Sequence, residues 1–270
     1  MRCVNHTTIL KNFATVLSLK VLNFTKLLKY KLRYKDEIDF YNIKHTNMKH
    51  SIVKIQSIKH ITHDVLQLVT EKPENYNFIP GQATHISINK PDWKNKANPF
   101  TFTNLPEDDF LEFSIKTYPE HKGATNELLK LKEGDELILQ EVFGAISYKG
   151  EGLFIAGGAG VTPFISILRD LHAKNKVGDN ILIFANKTKA DILLESEFTN
   201  LLGRNFINIL SDERVEGYAN GQITNDFLKA YVSDATQHIY LCGPPSMMEA
   251  VQKQLANLHV PKDTIVVETF

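Results

Sequence analysis

Cysteine is almost missing from this chain of 270 residues: Cys3 and Cys242 are the only two. Two thiols exclude a disulfide framework and a four-thiolate iron–sulfur centre. The histidines show no His-Glu-x-x-His or Cys/His spacing, so no metal ligand is assigned. A Gly-x-Ser-x-Gly elbow is also lacking, which argues against a hydrolase built on an α/β sheet. Net charge is absent, with 31 basic against 31 acidic side chains, so no global field draws the chain to nucleic acid or to a membrane. No apolar run is long enough to span a bilayer; Phe13–Leu28 is interrupted by Lys20 and Lys26.

Acid is missing from one region only. Arg2, Lys11, Lys20, Lys26, Lys29, Lys31, Arg33 and Lys35 precede Asp36, the first carboxylate. Three readings of residues 1–47 stand: a basic targeting segment, upstream sequence ahead of a start at Met48, or a weak amphipathic helix. The second is preferred, because Met48 directly precedes the first clear strand pattern. None of the three carries chemistry. The whole chain, 43% apolar and 23% charged, has the composition of a globular protein, and the cytoplasm is its expected location.

From residue 48 to 149 the pattern is short and strand-like. Ile52–Ile55, Asp64–Val69, Ala83–Ile88, Leu111–Lys116 and Glu136–Gln140 alternate or run apolar between turn signals. One short helix pattern covers Asn126–Leu131. Strands this frequent predict an antiparallel β-barrel or sandwich. After Lys149-Gly150-Glu151-Gly152 the period changes. Strands at 153–156, 181–185, 207–210, 238–242 and 265–267 alternate with helices at 164–173, 192–202, 225–231 and 247–258. Continuous Ile/Leu/Val strands between helices predict a doubly wound α/β domain with a parallel sheet, residues 150–270.

Two glycine turns follow strands of that second domain. Leu153-Phe154-Ile155-Ala156 runs into Gly157-Gly158-Ala159-Gly160-Val161-Thr162-Pro163, a buried strand feeding a turn that opens a helix. Such turns bring main-chain N–H groups up to a pyrophosphate. The other turn is Cys242-Gly243-Pro244-Pro245. Together they suggest a dinucleotide crevice.

In this order and at these separations, four segments resemble the ferredoxin–NAD(P) reductase superfamily over residues 49–270. Asn98-Pro99-Phe100-Thr101 stands where that family has Arg-x-Tyr-Ser/Thr. Gly123-Ala124-Thr125-Asn126 resembles its Gly-x-x-Ser/Thr turn. Gly157–Pro163 resembles its Gly-x-Gly-x-x-Pro turn, and Cys242-Gly243-Pro244 its Cys-Gly-Pro. The likeness is greatest to the single-chain NAD(P)H:flavodoxin/ferredoxin reductases. Phe184-Ala185-Asn186-Lys187-Thr188 is similar to a segment of NADH-using cytochrome reductases.

The resemblance implies an FAD-binding barrel at 48–149 and an NAD(P)-binding half at 150–270. It also implies hydride transfer from NAD(P)H to FAD and single-electron export to a separate ferredoxin or flavodoxin. Asn98, Pro99, Phe100 and Thr101 would meet the flavin, with the Thr101 hydroxyl beside its reactive nitrogen. Gly123, Ala124 and Thr125 would hold the flavin pyrophosphate. Gly157, Gly158, Gly160, Thr162 and Pro163 would cradle the nicotinamide dinucleotide, with Cys242, Gly243 and Pro244 close to the stacked rings. Phe270 would cover the flavin's other face and Glu268 relay a proton. Plainer roles remain open for each of these: a buried strand threonine at 101, a core aromatic at 100, an N-cap at 125, an inert thiol at 242, a hydrophobic plug at 270, a solvated carboxylate at 268. Asn98 departs from the family arginine; the lost charge-assisted contact is worth roughly 1.5–3 kcal/mol, and Lys96 and Lys122 are the cations nearby in sequence. Asn186-Lys187-Thr188-Lys189 followed by Asp191, without a phosphate-reading Ser-Arg pattern, leans toward NADH over NADPH. The competing class is a non-catalytic nucleotide-binding or regulatory subunit of a larger redox complex.

Overall fold

The computed structural model describes residues 50–232 and 237–267. The 1–47 segment and the residues Glu268 and Phe270 lie outside the described residues.

Six antiparallel strands form the first sheet: β1 (Ser51–His60), β2 (Val65–Glu71), β3 (Ala83–Ile88), β4 (Asn98–Thr101), β5 (Phe110–Lys116) and β6 (Glu136–Phe143). Their order is β4-β3-β6-β1-β2-β5. The two outer strands meet where Phe102 bridges to Phe113 and the Thr103 N–H donates to the Glu112 carbonyl at 2.8 Å, which closes the sheet into a barrel. β1 serves two neighbours. Its first residues pair with β6 and its later ones with β2, with a bulge between Ile55 and Ser57, the usual device for bending a strand around a barrel corner.

Alternation decides what fills the barrel. Val53 and Ile55, Leu66 and Leu68, Ile86 and Ile88, Leu111, Phe113 and Ile115, and Leu137 and Leu139 share one buried cluster. Side chains two apart lie on one face of a strand, so each strand contributes every second residue. Phe102 is fully buried and stacks on Phe78 at 4.2 Å. Each such fully buried side chain contributes roughly 1.5–3 kcal/mol.

The second sheet is parallel: β7 (Gly152–Gly157), β8 (Ile181–Asn186), β9 (Phe206–Leu210), β10 (Ala219–Asn220), β11 (His238–Cys242) and β12 (Ile265–Val267). The order β10-β9-β8-β7-β11-β12 reverses direction of progression between β7 and β11. Both faces are covered. Phe154, Leu182, Phe184 and Tyr240 join α2 (Thr162–Ala173) and α3 (Glu195–Leu202) in one cluster. Leu153, Ile155, Ile183, Ile239 and Leu241 join α4 (Asn225–Leu228) and α5 (Pro245–Asn257) in the other. This is the doubly wound arrangement with its switch point at β7/β11. The remaining helix, α1 (Ala124–Leu128), follows β5.

Several expected boundaries move. β4 and β10 were not expected as strands; β4 carries Pro99, and β10 has two residues only. The helix expected at 126–131 occupies Ala124–Leu128. That expected at 192–202 begins at Glu195, because Leu194 adopts φ 52°, a left-handed conformation that no helix continues. That expected at 225–231 stops at Leu228.

Among the described residues, no helix is long and apolar enough to cross a membrane.

Candidate functional site

The two glycine turns touch. A Cβ on Gly160 would lie 2.4 Å from the Cys242 carbonyl oxygen and 2.6 Å from Gly243 Cα. A Cβ on Gly157 would lie 2.3 Å from Met247 Sδ and 2.9 Å from Pro244 Cδ. A Cβ on Gly243 would press on Gly157 N at 3.1 Å. These glycines are therefore set by the contact of one turn with the other. Gly158 differs: it adopts φ +51° and has nothing within 4 Å, so its backbone faces open space. Thr162 and Pro163 begin α2, with proline in the first turn where its missing N–H costs nothing.

A cavity of about 410 Å³ opens at these strand ends, lined among others by Gly157, Gly158, Asn186, Ser211, Gln222 and Met247. Asn186 is 9% exposed, and neither its amide nitrogen nor its oxygen has a hydrogen-bond partner. A buried amide without partners costs about 1–3 kcal/mol, and its place on the lining leaves it within reach of whatever fills the cavity. The sequence placed Asn186 in the segment similar to NADH-using cytochrome reductases, but gave no sign that its side chain is buried without partners.

Cys242 is buried at 6% exposure, on the α2 face of the sheet with Phe154 and Tyr240. Asp191, the acid at the end of the segment read for NADH against NADPH, is engaged by its neighbour. Its Oδ2 accepts from the Thr188 N–H at 2.8 Å and the Thr188 hydroxyl at 2.7 Å, a capping box on a short 3₁₀ turn.

On the barrel, Thr101 is 7% exposed and pairs across to Ala83, while Phe100 is half-buried against the barrel core. Pro99 is exposed. The Asn98 amide donates to the Lys96 carbonyl at 3.3 Å. Lys96 stands over the Trp93 ring at 4.3 Å. Gly123 is the N-cap of α1, and no side chain caps that turn. Thr125 is thus not the N-cap; it sits one residue inside the helix, after Ala124.

Barrel and sheet are joined close to both groups. The Gly81 N–H, two residues before Ala83, donates to Ser166 Oγ on α2 at 3.0 Å. On β5, Lys116 reaches Asp64 at 2.7 Å, and His63 lies between Asp64 and Asp191 at 3.7 and 3.6 Å. Partial burial opposes the Asp64 charge, but the Lys116 hydrogen bond and field outweigh it and hold that carboxyl below its ordinary value.

Residues 50–142 match the model of an FAD-binding domain, and residues 154–253 that of an oxidoreductase NAD-binding domain. The chain belongs to the ferredoxin–NAD(P) reductase superfamily. It has the make-up of that family's FAD-dependent NAD(P)H oxidoreductases, a flavin barrel joined to a nucleotide-binding sheet. It is 28% identical over 235 residues to the reductase component of propane 2-monooxygenase from Mycolicibacterium smegmatis, an alignment covering 80% of this chain and 66% of the relative. It is 29% identical over 222 residues to NADH-cytochrome b5 reductase 2 of Mycosarcoma maydis, covering 73% and 62%. The chain thus spans a little under two thirds of the length of these relatives. The fold is shared with a ferredoxin NADP+ reductase from Neisseria gonorrhoeae crystallised with FAD and NADP (TM-score 0.70, 17% identity, 82% of this chain and 98% of that one).

Proposed function

We propose that this reductase takes hydride from NADH and exports single electrons to a separate carrier protein of ferredoxin or flavodoxin type, in the cytoplasm. The division of labour follows the two sheets, residues 48–149 holding flavin and 150–270 holding nucleotide. The observation that carries the reading is the pair of interlocked glycine turns at the switch point, beside the unpartnered amide of Asn186. That is a fit for a dinucleotide: open backbone at Gly158, a helix start at Thr162, and a buried polar group in need of a partner.

When bound, FAD accepts an electron pair from the nicotinamide and releases electrons one at a time. The protein's own work is placement, because stacked rings in the right orientation supply most of the acceleration. Thr101, held on β4 by its pairing to Ala83, presents a hydroxyl that both donates and accepts. Phe100 supplies an apolar wall. Asn98 brings no charge to the flavin phosphate, and Lys96 and Lys122, both exposed, are the cations nearest to it in sequence. With no phosphate-reading Ser-Arg pattern after the second strand of this half and a relative named for NADH use, NADH is favoured. These 270 residues hold two cysteines, too few for a four-thiolate iron–sulfur centre among them, which favours an acceptor outside the two sheets. One relative is named as the reductase component of a monooxygenase.

The test is an absorbance spectrum of the protein reconstituted with FAD, followed by parallel anaerobic titrations with NADH and NADPH. Bleaching of the flavin bands by NADH ahead of NADPH, and reduction of a one-electron acceptor, are expected. A protein that binds nucleotide but acquires no flavin bands, and reduces no acceptor, belongs to the non-catalytic class instead.

A further inference from the structure

Arg169 lies on α2, two turns from the glycine turn that opens the helix. Its guanidinium reaches in three directions. Nε and Nη2 donate to the two oxygens of Glu197 on α3, at 2.6 and 2.9 Å. Nη1 donates to Glu112 Oε1 on β5 at 2.7 Å and to the Thr103 carbonyl at 2.8 Å. Glu112 is itself fixed: its Oε1 also accepts from the Thr103 hydroxyl at 2.8 Å, and its Oε2 from Gln67 at 2.7 Å. Burial opposes the charge on Arg169, but the Glu197 hydrogen bonds and the Glu112 field hold its pKa above the ordinary value.

The placement matters more than the strength. Thr103 is two residues past Thr101, so the carbonyl that Arg169 grips lies just beyond the end of the strand proposed to face the flavin. Arg169 is seven residues past Thr162, about 10 Å along a rigid helix whose first turn is the nucleotide turn. One side chain therefore connects the two polypeptide segments between which hydride must pass. A cleft of about 730 Å³ opens beside the cluster, lined among others by Asn104, Asp108, His172 and Asn200, so on this side the arginine bridges beside open space, while Val65 and Ile146 pack with α2 in one buried cluster elsewhere.

We propose that Arg169 is a positioning residue that fixes the spacing of the nucleotide turn from the Thr101 strand through Thr103 and Glu112. The proposal rests on the flavin and nucleotide sites given above. Lysine cannot replace it, since a single ammonium cannot hold a bidentate carboxylate and two further acceptors in one plane.

The experiment compares the FAD-loaded wild type with Arg169→Lys and Glu197→Gln, the latter leaving the contacts to Glu112 and Thr103. Stopped-flow flavin reduction by NADH gives a limiting rate and a half-saturation. Arg169→Lys should lower the limiting rate by about 10- to 100-fold, the scale of an ångström-sized misplacement. Half-saturation, flavin spectrum and the rate of reduction by dithionite, which bypasses the nicotinamide, should stay within twofold. Glu197→Gln should give an intermediate loss. Independently of turnover, amide hydrogen exchange of the FAD-free protein should quicken in residues 103–112 and 162–173 in Arg169→Lys. An unchanged limiting rate in both variants, or a rate loss matched by loss of bound flavin, overturns the positioning role. Failure of the underlying site assignment shows separately, as a wild type that NADH does not bleach.

Discussion

Replacing Gly160 by alanine isolates the contact between the two turns. The added methyl would sit 2.4 Å from the Cys242 carbonyl oxygen and 2.6 Å from both Cys242 C and Gly243 Cα. All three are backbone atoms, so no rotamer change relieves the clash. Restoring ordinary contact at 3.4 Å requires the turns to part by about 1 Å. Overpacking of this kind costs about 1–3 kcal/mol, equivalent to a melting temperature lower by about 2–12 °C for a protein of this size. A displacement of 1 Å at a site that works by alignment slows the reaction by about 100-fold. Gly203→Ala is the matched control. Gly203 has φ +53° with ψ −123° and nothing within 4 Å, so alanine there meets only backbone strain, about 1–3 kcal/mol, far from the turns in sequence. The assay is differential scanning fluorimetry alongside stopped-flow flavin reduction by NADH. Both variants should melt earlier, and only Gly160→Ala should reduce its flavin slowly. Equal reduction rates in the two would refute the claim that the interlocked turns shape the nucleotide site.

Asn98→Arg restores the family cation and should tighten FAD binding by about 10- to 150-fold, read by fluorescence titration of the FAD-free protein; unchanged affinity would mean that Lys96 or Lys122 already supplies the charge. Asn186→Leu removes two buried unpartnered atoms, so the ligand-free protein should melt higher while NADH affinity drops by up to about tenfold. A melting temperature that falls would show that Asn186 has a structural partner. Asp64 has a lowered folded-state pKa. Its contribution to stability is therefore complete above the unfolded value of about 3.9 and is lost as pH falls through the lower folded value. Denaturant titrations of the wild type and Asp64→Asn should differ at pH 6 and converge at strongly acidic pH.

The parallel half was the more legible part of the chain. Runs such as Leu153–Ala156 and Ile239–Cys242 are apolar throughout because both faces of the sheet are covered, and their shortness and flanking turn residues set them apart from buried helix. The glycine turns were legible for the same reason that they are rigid, since backbone contact tolerates no Cβ. Which glycine touches which neighbour was not, because contact across two turns 80 residues apart leaves no local trace. β4 escaped notice as a strand because Pro99 breaks its pattern, and the start of α3 because Leu194 carries no sign of its left-handed backbone. Arg169 was invisible. On a helix it reads as an ordinary solvated cation, and only the fold brings Glu112 and Glu197 to it.

Tyr240 has a bearing on how such proteins are recombined. Its ring is buried and stacked on Phe154 at 4.3 Å, and its hydroxyl accepts from the Lys149 and Gly150 N–H groups at 2.8 and 3.1 Å while donating to the Gly150 carbonyl at 2.7 Å. The stretch leading out of the barrel is thereby stapled to a strand that arrives 90 residues later. A chimera grafting a foreign barrel at that seam inherits the staple only if the incoming tail follows the same path over the phenol. Donor barrels should be chosen by the course of their last few residues, ahead of overall likeness.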